Sequence, residues 1–323
     1  MADTYADKVK PSTVSVVIAT HGRRDKLRET LGPLLADPAA DEIVVVDDGS
    51  TDGSLEVLED LAATHPQLRP VSTRHRGRAA ARQLGLERAT GEVVLLLDDD
   101  VVATPGLVDG HARAHAGDDG LVVVGYMPIR LPACRRPGDA STYLYAGNYE
   151  GSCLACERDP SLVLTGLWGG NVSICRADAL RVGMDSSFTY HEDRDFGLRC
   201  MKAGLHGRFD RSLHAEHVHA RSVATLRRDA RGQGAGRVKI HLVHADVLPP
   251  FDGLRFVHDL PAPLRRIVIA CRRPRLGTFC AGVLAASAGL AGRLRLWQAE
   301  TNLVKLLRRV ELQRGALDAL EHS

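Results

Sequence analysis

The chain has 323 residues, of which 44% are hydrophobic and 25% charged, a composition ordinary for a folded soluble protein of one large domain, or one domain with an appendage. The net charge of +2 gives no nucleic-acid signal. Seven Cys in a chain of this length do not make a disulfide scaffold, so we expect reduced thiols and a cytoplasmic location. Residues 1–14 have no apolar core and are not expected to form a signal peptide.

The N-terminal third alternates between apolar strands and amphipathic helices. Strands are predicted at residues 14–19, 43–46, 68–72 and 93–97, and helices at 25–36, 54–63 and 77–89. This alternation predicts an α/β fold with a doubly wound, mostly parallel sheet and helices on both faces. Ligands of such sheets bind beyond the carboxyl ends of the strands.

The periodicity becomes weaker after Pro105. We predict a strand at 121–129, loops around a variable pocket at 130–164, a short strand at 171–175, and helices at 177–182 and 192–203. From about residue 225 the chain is expected to be mainly helical.

Three consecutive carboxylates follow the buried strand at 93–97. Asp98, Asp99 and Asp100 repel one another and resist burial. Carboxylate oxygens at i and i+2 suit Mg²⁺ or Mn²⁺, which typically bridge to phosphates. The alternative is a solvated strand-to-loop turn, in which Asp is common.

Two further strands end in polar residues at the same predicted edge. The first ends in Ala19-Thr20-His21-Gly22-Arg23, and the second ends in Asp47-Asp48-Gly49-Ser50. The second segment can serve as the N-cap of the following helix and can also offer Asp48 to a ligand.

Two later segments also carry candidate site residues. Glu192, Asp193 and Asp195 cluster beside His191, either as functional acids or as the acid-rich first turn of a surface helix. His217 and His219 alternate, which places them on one face of a predicted strand as metal ligands or as structural histidines.

Together these segments resemble the family-2 inverting glycosyltransferases, which have the GT-A fold. The resemblance rests on VSVVIATHGR, IVVVDDGSTD, RGRAAARQLGLERATGEVVLLLDDDV, GGNVSICR, HEDRDFGLR and EHVHARS, in that order. It covers residues 12–235, which we therefore expect to form a nucleotide-sugar-dependent catalytic domain with a Rossmann-like sheet. Residues 236–323 are expected to form a helical C-terminal region.

The resemblance also implies roles for individual residues. It implies nucleotide contacts by Ala19, Thr20, Arg23, Asp48, Arg82, Asp98 and Asp99. It implies that Asp100 and His217 bind Mn²⁺ or Mg²⁺. It makes Asp193 the catalytic base, with Glu192 beside it, and places Trp168, Gly170, Asn171 and Glu192 on the acceptor side. Gln83 stands where the family often has Asn, which puts the local nucleotide contact in doubt.

The implied reaction moves a sugar from a nucleotide-diphosphate sugar, with a UDP-sugar favoured, to an acceptor hydroxyl. The acceptor is open: a polysaccharide, a lipid-linked sugar or a small natural product. Three other classes also remain open. They are a phosphatase-like hydrolase with Asp98 as nucleophile, a sugar nucleotidyltransferase, and a nucleotide-sugar binder without turnover.

The C-terminal region is strongly basic. Residues 261–323 contain eleven Lys or Arg and four Asp or Glu, a net charge of +7. The uncharged stretch Leu276–Gly292 is predicted to be a packed or membrane-surface helix pair, and Leu294 and Trp297 are predicted to lie one helical turn apart. Leu303, Leu306, Leu307 and Val310 form an apolar stripe. The region suits peripheral contact with an anionic inner membrane face, or packing on the catalytic domain or on a second subunit in a homodimer.

Overall fold

The computed structural model describes residues 13–322. Most of the segment for which we predict no signal peptide, residues 1–12, lies outside the described residues. The strands are β1 Val14–Thr20, β2 Glu42–Asp48, β3 Leu68–Thr73, β4 Val93–Asp98, β5 Val101–Ala103, β6 Leu121–Tyr126, β7 Asn171–Cys175 and β8 His206–His217. The helices are α1 Leu27–Leu35, α2 Ser54–Ala62, α3 Arg78–Arg88, α4 Leu107–Ala114, α5 Ala140–Arg158, α6 Leu162–Thr165, α7 Arg176–Val182, α8 Glu192–Lys202, α9 Val223–Val243, α10 Ala262–Ala270, α11 Pro274–Arg293 and α12 Trp297–Glu321.

The chain divides into two compact units. The sheet unit comprises residues up to 128, 153–187 and 192–218, and the helical unit comprises 129–152, 188–191 and the residues from 219 onward. The predicted catalytic domain, residues 12–235, is defined by its expected function and not by packing, so these two units do not test it and it stays a prediction.

The sheet unit contains a mixed sheet with the strand order β3-β2-β1-β4-β7-β6-β8-β5. Strands β1 to β4 are parallel to one another, whereas β7 is antiparallel to both of its neighbours, β4 and β6. The apolar run of β2 is buried along its whole length, as expected for a strand covered on both faces. This arrangement confirms the predicted α/β fold with its mostly parallel sheet and flanking helices.

The strand register brings the carboxyl ends of β1, β2 and β4 side by side. Ala19 pairs with Asp98 on β4, and Thr20 pairs with Asp47 on β2. The polar residues that follow these strands therefore share one edge of the sheet, as the parallel topology predicts. We refer to this edge as the carboxyl edge.

Several predictions between residues 100 and 220 are wrong. The predicted loops at 130–164 contain the helix α5, whose apolar side chains are spread around its axis and so give no periodic signal. The sequence pattern indicates only the last residues of β8, around His217. The strand ends at His217, so His219 lies beyond it and the two histidines do not share a strand face.

The helical unit contains α9 to α12. Helices α9 and α12 approach closely at Gly234, where an added Cβ would meet the backbone of Leu312. The predicted stripe is confirmed as a packing face, because Leu307 and Val310 of α12 are buried. The predicted helix pair at 276–292 is instead the single helix α11, and Leu294 and Trp297 are separated by the break between α11 and α12.

Candidate active site at the carboxyl edge

All three consecutive aspartates have partners within the sheet unit. The carboxylate of Asp98 pairs with Arg82 at 2.5 Å. Asp99 accepts a hydrogen bond from Thr20 Oγ1 at 2.8 Å and lies 3.4 Å from Arg23 Nε. Asp100 contacts Arg23 Nη2 through Oδ2 at 3.3 Å. Arg82 therefore opposes the charge of Asp98, and Arg23 opposes the charges of Asp99 and Asp100.

Arg82 of α3 connects two parts of the site that are distant in sequence. Its side chain is 1% exposed and forms ion pairs with Asp98 and Asp193, and its Nη2 donates to the carbonyl of Gly169 at 3.2 Å. Burial lowers the pKa of Arg82, but the two carboxylates outweigh it and hold the pKa above its ordinary value. Arg82 is therefore a charged bridge between the strand end and α8.

Glu192 and Asp193 open α8 and titrate differently. Burial raises the pKa of Asp193, but the Arg82 and Arg78 guanidinium groups outweigh burial, so the net pKa is lowered. Burial, followed by the adjacent charge of Asp193, raises the pKa of Glu192 to about 7. Arg78 contacts Glu192 at 3.0 Å. One carboxyl group is thus ionised while its neighbour exchanges a proton near neutral pH, a separation typical of acid–base sites.

The raised pKa of Glu192 predicts a pH-dependent stability. Between its ordinary pKa of 4.5 and about 7, the folded state keeps a proton that the unfolded state has released, so this contribution to stability is lost as the pH rises through 7. We expect Glu192→Gln, which stays neutral, to melt at a higher temperature than wild type above pH 7 and at nearly the same temperature near pH 5. Melting curves across this range test the expectation, with the exposed Glu87→Gln on α3 as control. A difference that is constant with pH, or that grows toward acid, would contradict it.

Two adjacent glycines allow the bridge to form. An added Cβ at Gly169 would collide with the carboxylate of Asp193 and with Arg82, and one at Gly170 would lie 2.8 Å from Asp98 Oδ2. The neighbouring Trp168 packs edge-on against Phe209 at 6.0 Å between ring centroids. Neither Gly169 nor Arg78 is among the site residues predicted from sequence, although the doubled glycine before Asn171 is the kind of signal that indicates close approach.

Asn171 takes part in a buried polar network. Its side chain is 0% exposed, donates to the carbonyl of Leu213 at 3.1 Å and contacts His111 Nε2 at 3.0 Å. Burial lowers the pKa of His111 to about 3, so the ring stays neutral, and its Nδ1 contacts Ser173 at 2.7 Å. These contacts hold β7 against β8 and α4, and the acceptor contact that the resemblance implies for Asn171 stays a prediction.

Asp48, at the end of β2, accepts hydrogen bonds from the loop before α3. The backbone N–H of Arg76 donates to Oδ1 at 2.7 Å, and that of Gly77 donates to Oδ2 at 2.9 Å. The carboxylate is buried and fixes the turn that leads into α3. Ala19, one strand away, is half-buried at the end of β1.

Asp100 and His217 form the candidate metal pair. Both side chains are buried, and Asp100 Oδ1 lies 3.0 Å from His217 Nε2. Two neighbouring ligands of an octahedral ion at about 2.1 Å are themselves about 3 Å apart, so this spacing fits a divalent cation. The oxygen and imidazole donors suit Mn²⁺ or Mg²⁺.

Comparison with known proteins shows which protein family the sequence is similar to. Residues 15–164 match the family described as Glycosyl transferase family 2. The chain is 33% identical over 119 residues to the uncharacterized glycosyltransferase YfnE of Bacillus subtilis, covering 36% of this chain and 30% of that protein. It is 32% identical over 221 residues to the validoxylamine A glucosyltransferase of Streptomyces hygroscopicus subsp. limoneus, covering 59% of this chain and 48% of that protein.

A solved structure shares the fold. The mannosyltransferase PcManGT from Pyrobaculum calidifontis, in complex with GDP-Man and Mn²⁺, superposes with a TM-score of 0.59 at 18% identity, covering 97% of this chain and 88% of that one. The sheet and its carboxyl edge are thus those of a GT-A glycosyltransferase fold. Residues 15–164 form a glycosyltransferase family 2 domain. The chain spans 30% and 48% of the lengths of the two curated relatives.

Proposed function

We propose that the chain is an inverting glycosyltransferase that moves a sugar from a nucleotide-diphosphate sugar to an acceptor hydroxyl. The observation that carries the proposal is the Arg82 bridge, which joins the acid-rich strand end to the acids of α8 at one edge of a family-2 sheet. One end of the bridge suits a metal–diphosphate group, and the other suits proton removal from an acceptor. Residues 12–235 are the proposed catalytic range.

The donor side of the site comprises the residues around the strand ends. We assign contacts with the nucleotide and its diphosphate to Ala19, Thr20, Arg23, Asp98 and Asp99. Arg82 and Asp48 act indirectly in this proposal, because their polar groups are engaged by Asp98, Asp193 and the loop before α3. A UDP-sugar is the first donor to test, and GDP-sugars belong in the same panel because the fold neighbour was solved with GDP-Man.

Asp100 and His217 are the proposed metal ligands. A divalent cation held there supplies a Lewis acid for the negative charge that develops on the diphosphate leaving group. Arg23 contacts the other oxygen of Asp100 at 3.3 Å and adds a fixed positive charge on the same side.

Asp193 is the proposed general base. Its lowered pKa keeps it ionised at neutral pH, so a carboxylate oxygen can accept the proton of the acceptor hydroxyl as the new glycosidic bond forms. In this proposal Glu192, whose pKa is about 7, holds the acceptor by hydrogen bonding. Trp168 and Gly170 complete the acceptor side in this proposal.

Removing the metal ligand gives a direct binding test. We expect Asp100→Ala to abolish the Mn²⁺-dependent rise in melting temperature that a bound donor produces by mass action. The measurement is a thermal-shift panel of UDP- and GDP-sugars with and without Mn²⁺. The matched control is Asp109→Ala, an exposed acid on α4, which should respond like wild type. A donor shift that persists in Asp100→Ala, or in excess chelator, would contradict the assignment.

A further inference from the structure

Helix α11 presents an uncovered apolar face. Its exposed apolar residues recur every three or four positions, at Leu276, Phe279, Val283, Ala286 and Leu290. Phe279 is 68% exposed and Leu290 is 57% exposed. The opposite face is buried and consists of small residues such as Gly277, Ala281 and Ala288. A contiguous row of large apolar side chains in water indicates a surface that meets another phase or partner.

The charge around this face has one sign. Between Asp259 and Glu300 the sequence contains seven arginines and no acidic residue. Arg272, Arg273 and Arg275 precede the face, and Arg293 and Arg295 follow it, all of them exposed. An apolar row with cations at both ends matches a layer of acyl chains beneath anionic headgroups, because the arginines can reach lipid phosphates while the apolar side chains enter the layer.

The segments next to α11 continue the pattern. Leu294 and Leu296 are 61% and 54% exposed and alternate with Arg293 and Arg295. The backbone turns at Arg295, which has a φ of 57°. On α10, the exposed Ile267 lies next in sequence to Arg266, which is also exposed.

We propose that α11 lies flat on an anionic membrane surface, with the Leu276–Leu290 face at the acyl boundary and the flanking arginines on lipid phosphates. This surface shares no residue with the sugar-transfer site, and the proposal does not depend on the assignment of that site. The charge of this face favours an anionic membrane over a second copy of the chain as its partner. In a symmetric dimer the same patch would meet itself, which would bring the arginines of two copies together with no acid between Asp259 and Glu300 to oppose them.

The packing of α11 favours lying on the membrane over crossing it. Among the described residues, α11 is the one helix long and apolar enough to cross a bilayer by length and composition, with a hydropathy of 1.2. Its inner face is tied to α12, since Arg314 donates to Thr278 at 3.0 Å and an added Cβ at Gly277 would lie 2.6 Å from the Arg314 side chain. Arg314 is also buried against Glu311. A spanning α11 would have to abandon these contacts, whereas a helix lying flat keeps them.

Vesicle co-sedimentation of the full chain tests the proposal. The vesicles contain either phosphatidylcholine alone or equal parts of phosphatidylcholine and phosphatidylglycerol, and each is tested at low and high salt. We expect binding only to the anionic vesicles, and weaker binding at high salt because surface charges are screened. The face variant Phe279→Gln/Leu290→Gln and the charge variant Arg272→Gln/Arg273→Gln should each lower the vesicle-bound to free ratio roughly tenfold or more.

Matched controls come from α9. Leu242→Gln/Val243→Gln changes exposed apolar residues, and Arg228→Gln removes an exposed charge. Both should bind vesicles like wild type, and all variants should keep the wild-type melting temperature because the changed side chains are exposed.

Three results would overturn the proposal. The first is no binding to anionic vesicles at low salt, and the second is equal loss of binding in the α9 controls. The third is binding that resists both high salt and alkaline carbonate extraction, which would indicate a spanning helix. Sedimentation velocity separates the remaining case: a wild-type dimer that the face variant converts to monomer, without vesicle binding, would assign this face to self-association.

Discussion

Replacing Arg82 with Met is expected to lower the free energy of unfolding by about 3 kcal/mol or more, because it leaves Asp98 and Asp193 partly buried without their shared counter-charge. Met keeps most of the length and apolar stem of the side chain, so the main loss is the guanidinium group. Urea denaturation measures the change. The matched control is Arg113→Met, which removes an exposed arginine paired with Asp109 on α4 and should cost less than about 1 kcal/mol.

The Arg82→Met variant is also expected to change the pKa of Asp193. Without Arg82, burial is opposed mainly by Arg78, so the pKa of Asp193 should rise. The base then becomes protonated at a higher pH, and the acid limb of the pH–rate profile should shift toward neutral pH. Arg82→Lys keeps one positive charge but loses the fork that reaches two carboxylates, so its shift should be smaller. An Arg82→Met protein as stable as Arg113→Met, with an unshifted profile, would contradict the bridge.

Asp193→Asn is expected to reduce transfer by about a hundredfold or more, the scale of lost general-base catalysis. The amide oxygen can still accept a hydrogen bond from Arg82, so the fold and the donor side should be retained. Nucleotide release and donor thermal shift, measured on the same preparation, separate catalysis from binding.

Glu192→Gln provides the comparison for this variant. Glu192 is adjacent in the chain and is buried, but in our proposal it contacts the acceptor without taking the proton. Its loss should therefore affect acceptor KM more than the maximal rate. Near-normal turnover by Asp193→Asn would mean that another group is the base, and an equal loss of maximal rate in both variants would mean that the pair acts as one unit.

The carboxyl edge was predictable from sequence because its parts are local. Each of β1, β2 and β4 is an apolar run that ends in polar residues, and parallel topology alone places such ends together. Asp98, Asp99, Asp100 and Thr20 therefore lie where the sequence indicates, and the register of β1 with β4 confirms their proximity.

The bridge across the site could not be predicted in the same way. Arg82 pairs with Asp193, 111 positions along the chain, and no periodic pattern encodes a contact of that range. The resemblance implies that Arg82 contacts nucleotide, whereas the fold buries its guanidinium between carboxylates. For Asn171, the sequence motif shows a polar residue at the start of a strand but does not show that His111 and Leu213 satisfy its amide.

In the basic C-terminal region, too, the packing of one helix on another could not be predicted from sequence. Sequence gives the uncharged stretch and its flanking arginines, but which face of α11 is covered depends on α12. The small residues Gly277, Ala281 and Ala288 pack inward, so the larger side chains remain outside. Composition alone favours packing slightly over membrane contact, and the exposure of Phe279 and Leu290 is the observation on which the membrane proposal rests.

The central claim is that the carboxyl edge transfers sugar from a nucleotide-diphosphate sugar with Asp193 as base. It is tested most directly by nucleotide diphosphate release from a panel of UDP- and GDP-sugars, with water as the basal acceptor, in the presence of Mn²⁺. We predict that the wild-type protein turns over one class of donor and that excess chelator stops nucleotide release. We also predict that Asp193→Asn binds the same donor but that its rate of nucleotide release is lower by about a hundredfold or more. Undiminished release in chelator, or from Asp193→Asn, would contradict the account.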